Sequence, residues 1–159
     1  MRVFTWILVV VTAIALGLFG YGYYGLTVHT GELTAVVTPA VNAVEQFEAL
    51  RADMDNDSLT GRVYRKEALG NPEEYVFVTY TLRVKNVGFI PAEWIELVIT
   101  PGNGDLLEVP TSGAQVLGAG REGDLKTVVL QKGDGSDISR SAQVRYYAFG
   151  RAYAVGVNP

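Results

Sequence analysis

Along residues 75–85, YVFVTYTLRVK, hydrophobic and polar positions alternate. Val76, Val78, Tyr80, Leu82 and Val84 fall on one side, and Thr79, Thr81, Arg83 and Lys85 on the other. A period of two is the mark of a strand with one face in a core and one in water. The next stretch repeats it: Ile95, Leu97 and Ile99 share a face, Glu96 marks the opposite face as wet, and Trp94 is predicted to lie outside. Further strands are predicted at 33–37, at 62–65 and, after a Gly-rich turn, at 125–130. The last segment, AQVRYYAFGRAYAVGV, reads as a hairpin turning near Gly150 and Arg151. Val144, Tyr146 and Ala148 share one face, which Tyr153, Val155 and Val157 continue. Several short strands with turn signals about every ten residues predict a mainly β protein, a sandwich of two sheets.

Two segments break this rhythm. Residues 39–54 carry Ala40, Val44, Phe47, Leu50 and Met54 at three- and four-residue steps, the spacing of one apolar helical stripe. Thr38 and Pro39 are the expected N-cap and first residue of this short amphipathic helix. Residues 3–24, VFTWILVVVTAIALGLFGYGYY, contain no charge at all. At about 1.5 Å per residue, a helix of that length matches a hydrocarbon layer of about 30 Å.

The expectation is therefore a transmembrane signal-anchor helix at 3–24. Residues 1–2 would be cytoplasmic, 25–32 a juxtamembrane linker, and 33–159 one extracytoplasmic β-sandwich domain that includes the helix at about 39–54. Arg2 and the α-amino group precede the run and no Lys or Arg follows it before Arg51, which places the N-terminus inside and the domain outside the cell membrane. Phe4 and Trp6 at one end and Tyr21, Tyr23 and Tyr24 at the other match the headgroup layers. Ala13-Ile14-Ala15 offers a signal-peptidase pattern, but cleavage there would leave the greasy terminus LGLFGYGYYG.

The succession LRVKNVGFIPAEWIELVI, VLGAGREGDLKTVVL and QVRYYAFG resembles the bacterial immunoglobulin-like modules typified by the cell-adhesion-related domain, CARDB. The likeness spans about residues 75–157. It implies an immunoglobulin-like sandwich, in which a strand ends in Asn-x-Gly and the next strand pairs back after a short loop. Asn86 is expected to turn its side chain onto nearby backbone in that connection. The helix at 39–54 lies outside the resemblance.

Composition narrows the chemistry. Thirteen basic and seventeen acidic residues give a net charge of −4. No basic stripe is present to hold nucleic acid. Zero cysteines exclude thiolate catalysis and Cys-ligated metals. The single histidine, His29, lies next to the apolar run, away from any framework for a catalytic triad. Asp53, Asp55 and Asp57 have the spacing that opens a calcium loop. Ser58 stands where that loop needs Gly, however, and Tyr64 where it needs a bidentate Glu, so no metal is expected. No phosphate-cradling glycine motif occurs, and no cofactor is expected.

The sequence thus predicts a binding protein rather than an enzyme. It would be a membrane-tethered interaction or accessory protein of the bacterial cell envelope, whose partners are the lipid bilayer through 3–24 and another envelope or membrane protein. The candidate contact residues are Trp94, Tyr147 and Phe149. The alternative is stacking of the same aromatics on a cell-wall glycan or small ligand. Trp94 decides between an open aromatic site and a face merely covered by the helix at 39–54.

Overall fold

The structure, a computed structural model, describes residues 2–24, 28–111 and 115–157. It opens with helix α1, Arg2–Tyr24, whose side chains from Phe4 to Phe19 are exposed. Tyr21, Tyr23 and Tyr24 lie outside the residues whose side chains are described. Among the described residues, no helix is long and apolar enough to cross a membrane.

Among the described residues, nine strands and a second helix follow: β1 Val28–Pro39, α2 Val44–Asp55, β2 Arg62–Val63, β3 Tyr75–Asn86, β4 Ala92–Ile99, β5 Asp105–Pro110, β6 Gln115–Leu117, β7 Glu122–Lys132, β8 Ala142–Ala148 and β9 Arg151–Val157. They form two antiparallel sheets, β1-β3-β7-β5-β2 and β6-β4-β8-β9, packed face to face as a β-sandwich. The first strand is longer than expected. It begins at Val28, which is buried in the core, so the linker expected at 25–32 is already sheet from Val28 onward. His29 is accordingly held in β1 opposite Lys85 rather than in a loose segment.

The alternating positions form the core as predicted. Val76, Val78, Tyr80, Leu82 and Val84 of β3 meet Ile95, Leu97 and Ile99 of β4, and Val144, Tyr146 and Ala148 of β8, between the sheets. At its N-terminal end β3 is buried on both faces, because Tyr75 and Phe77 lie under α2 with Phe47, Leu50, Leu107 and Leu130.

Three expectations need correction. β3 and β4 do not pair back as a hairpin: β3 lies between β1 and β7, and β4 between β6 and β8. Their alternation says which side of each strand is buried, but an inward face is equally satisfied by a partner across the sandwich. Asn86 builds the corner between the sheets as foreseen, donating through Nδ2 to the Ile90 and Leu117 carbonyls and accepting from the Gly88 N–H. Secondly, the helix does not start at Pro39, which ends β1. Ala40–Asn42 form one 3-10 turn, and Ala43 breaks the path at φ −137° before α2 begins. Val44 consequently turns outward while Phe47 and Leu50 are buried. Thirdly, β5 and β6 lie where no strand is predicted, β6 running into the Gly-rich turn before β7.

Candidate functional site

The helix decides which outer face is left bare. α2 packs on the outer side of the first sheet, with the Phe47 ring 5.3 Å from that of Tyr75 and the Arg51 guanidinium 5.0 Å over Phe47. It does not cover Trp94, which belongs to the other sheet. A shallow apolar groove beside α2, lined by Leu50, Phe77, Leu107, Val109 and Val128, stays open on the first face.

Trp94 owes its position to a bulge. Ala92 pairs with Leu117 and Ile95 with Gln115 on β6, while Glu93 pairs with Tyr147 and Glu96 with Arg145 on β8. The register thus slips on both sides of Trp94. Ala92 and Ile95 both point into the core, an odd spacing that a regular strand cannot satisfy. The extra residue takes φ +51°, the left-handed region, and its indole stands 66% exposed.

Tyr147, opposite Glu93, is 48% exposed on the same face. Phe149 is 64% exposed at φ +52° and is followed by Gly150 at φ +69°. The two residues form the turn between Ala148 and Arg151. Two successive left-handed residues match the tight turn that the twist of a β-hairpin favours, where Asn and Gly are the usual occupants. The structure adds Phe89, 63% exposed in the β3–β4 connection. Its only sequence signal is an apolar ring amid turn residues.

These four residues share one end of the sandwich. Val28 pairs with Asn86, Lys85 with Glu122, Ala92 with Leu117 and Ala148 with Arg151. The start of β1, the 87–91 connection, the 118–121 turn and the Phe149-Gly150 turn therefore lie together. Among the described residues of the sandwich, every aromatic side chain classed as exposed is here; the other large exposed apolar residues include Val116 and Val87 at this end and Val36, Val41, Val44 and Val63 elsewhere.

A polar cluster that the sequence did not reveal lies at the β2–β5 side. Glu108 is fully buried. It accepts from Thr127 Oγ1 at 2.9 Å, from Arg62 Nη1 at 3.2 Å and from the Tyr64 hydroxyl. Arg62 also reaches Glu96 of the other sheet at 2.9 Å. Burial works against the charge on Arg62, but Glu108 and Glu96 outweigh it and raise its pKa. Burial, reinforced by the hydrogen bond to Glu108, likewise raises that of Tyr64. Each charge faces an opposite one or a donor, so the cluster ties the sheets together. The acidic loop after α2 is held locally: Ser58 Oγ donates to Asp53, and Lys66 lies 3.8 Å from Asp57. Among the described residues, no three acidic or histidine side chains converge as a metal site.

No protein-family model and no curated protein matches the chain. Among solved structures, it is similar to that of a FixG-related protein from Vibrio parahaemolyticus, at 13% identity and a TM-score of 0.36, over 80% of this chain and 94% of that one. It is also similar to that of an uncharacterized β-sandwich protein from Clostridium difficile 630, at 9% identity and a TM-score of 0.30, over 82% of this chain and 84% of that one.

Proposed function

We propose that the protein is a single-pass, membrane-tethered interaction protein of the cell envelope, with its N-terminus in the cytoplasm and its sandwich outside. The tether in this reading is α1. Its support is the charge-free run 3–24 of the sequence, taken whole, and the exposure of the apolar side chains from Phe4 to Phe19, which no part of the sandwich covers. Arg2, before the run, supports the orientation.

The observation that carries the binding role is the inequality of the two outer faces. One is covered by α2 over most of its apolar part, with a shallow groove beside the helix and Val36 left open, and carries Thr79, Thr81, Arg83 and Lys85 farther along. The other is bare and presents Trp94, Tyr147 and Val116. Large exposed aromatics held on a rigid sheet are the usual anchors of protein interfaces. The reading as an immunoglobulin-like module of the adhesion-related kind draws on strand adjacency: β1-β3-β7-β5 opposite β4-β8-β9 corresponds to the ABED and CFG sheets of that fold. β2, α2 and the placing of β5 before β6 depart from it.

Photo-crosslinking in intact cells tests the binding face. A photoreactive residue in place of Trp94 or Tyr147 should capture a discrete protein, and one in place of Val36 should not. Retention on insoluble cell-wall glycan, lost in Trp94→Ala, with no crosslinked protein, would favour the glycan reading instead.

A further inference from the structure

We infer that the end of the sandwich formed by the 87–91 connection and the Phe149-Gly150 turn rests in the interfacial layer of the bilayer, with Phe89, Phe149 and Val87 as its lipid contacts. This rests on the reading of α1 as a membrane span and adds a second contact to it.

The first argument is the length of the tether. Only residues 25–27 separate Tyr24, the last residue of α1, from Val28, which is fixed in the core at the start of β1. Four Cα steps reach at most about 14 Å even when fully extended. The polar layer on one side of a bilayer is about 5–8 Å thick. The end of the sandwich that carries Val28 can therefore stand no more than about 6–9 Å beyond the headgroups, even with the tether fully extended along the bilayer normal. The Asn86 bonds to Ile90 and Leu117 tie the 87–91 connection to that same end.

The second argument is what this end displays. Phe89 lies in the connection between the two sheets and Phe149 in the β8–β9 turn, yet both are exposed at the end nearest the tether. Phe149 occupies a left-handed position that Asn or Gly fills with less strain, and its ring gains little burial there. A bilayer supplies the missing environment, since aromatic rings favour the headgroup boundary. Charge contributes little. Arg121 and Arg151 are exposed at this end, but Glu122 pairs with Lys85 at 2.8 Å and Arg83 at 3.5 Å and Glu93 lies nearby in β4, so the charges are mixed and insertion of apolar groups, not attraction to anionic lipid, would hold the contact. With this tip on the membrane, the Trp94 and Tyr147 face opens sideways close to the surface, where a membrane-embedded partner would meet it.

The test uses the full chain reconstituted in phosphatidylcholine vesicles with brominated acyl chains, which quench nearby indoles. Phe149→Trp and Phe89→Trp, each carried with Trp6→Phe and Trp94→Phe, place a single indole at the tip; Ser136→Trp in the same background places it at the far end. Trp94 itself shows that an indole fits a left-handed position. Trp6, alone in a Trp94→Phe chain, reports on α1. The expected result is a blue shift and loss of emission for both tip probes, unchanged by salt, and neither for Ser136→Trp. If Trp6 is quenched while the tip probes behave like Ser136→Trp, the tip contact is overturned and the membrane span stands. If Trp6 is not quenched, the span fails and the tip contact falls with it.

Discussion

Arg140 and Asp105 form a bidentate pair across the far end of the sandwich, Nε to Oδ2 at 3.0 Å and Nη2 to Oδ1 at 3.1 Å, with both side chains buried. Asp137 adds a third contact at 2.8 Å, and the Gly102 N–H donates to Asp105. Hydrogen bonds from the guanidinium to Asp105 outweigh the cost of burial and raise the Arg140 pKa. Removing one partner leaves the other as a buried, uncompensated charge. Arg140→Met should therefore cost about 3–5 kcal/mol, read by denaturant unfolding. Loss of less than about 1 kcal/mol would show that water or a neighbour replaces the guanidinium.

Leu97 and Trp94 sit three residues apart on opposite sides of β4. Truncating Leu97 to Ala opens a hole between the sheets and should cost about 2–5 kcal/mol. Trp94→Gly removes a side chain that is 66% exposed and relieves a left-handed conformation, so its melting temperature should equal or exceed that of the parent chain. The partner crosslink should weaken in Trp94→Gly alone. Unfolding of Trp94→Gly at lower temperature would mean that the indole packs on the sheet.

Phe149→Asn separates turn chemistry from surface chemistry. Asn tolerates the left-handed first position of the Phe149-Gly150 turn, so stability should rise by about 0.5–1 kcal/mol. Lipid contact at the tip should fall at the same time. Thermal melts of the chain without α1 measure the first effect, undisturbed by the membrane.

Tyr80 is buried in the core and donates its hydroxyl to the Ile138 carbonyl at 3.0 Å. Burial pushes its pKa up to about 12, with Arg140 opposing. A phenol that holds its proton more tightly when folded contributes its full stability below the ordinary tyrosine pKa of about 10 and loses it as the pH climbs toward the folded value. Burial raises Tyr146 as well, and Tyr64 for the reasons already described. Ultraviolet titration should show a late ionisation phase for these rings that coincides with alkaline unfolding. A single phase near pH 10, with the fold intact, would contradict the burial of these rings.

Much of this architecture is written in local pattern. The period-two runs of β3, β4 and β8 determine which side chains are buried, because a strand with one wet face has no other way to place Leu82, Ile95 or Val144. The helical stripe through Phe47 and Leu50, the corner at Asn86 and the exposure of Trp94 follow from residue chemistry in the same way. Other features were decided by contacts between distant segments. Whether β4 pairs with β3 or faces it depends on which edges β7 and β8 occupy, and no local period encodes that. The bulge at Trp94 exists because Ala92 and Ile95 must both reach the core. β5 carries no strand signal of its own, because Asp105 and Glu108 fit its buried positions only once Arg140, Arg62 and Thr127 arrive from elsewhere in the chain to neutralise them. The tip aromatics, spread over 60 residues of sequence from Phe89 to Phe149, become one surface only when both sheets close. Short-range sterics and the hydrophobic period act within a few residues and are legible one strand at a time, whereas strand neighbours, buried ion pairs and surface clusters come from burial summed over the whole chain.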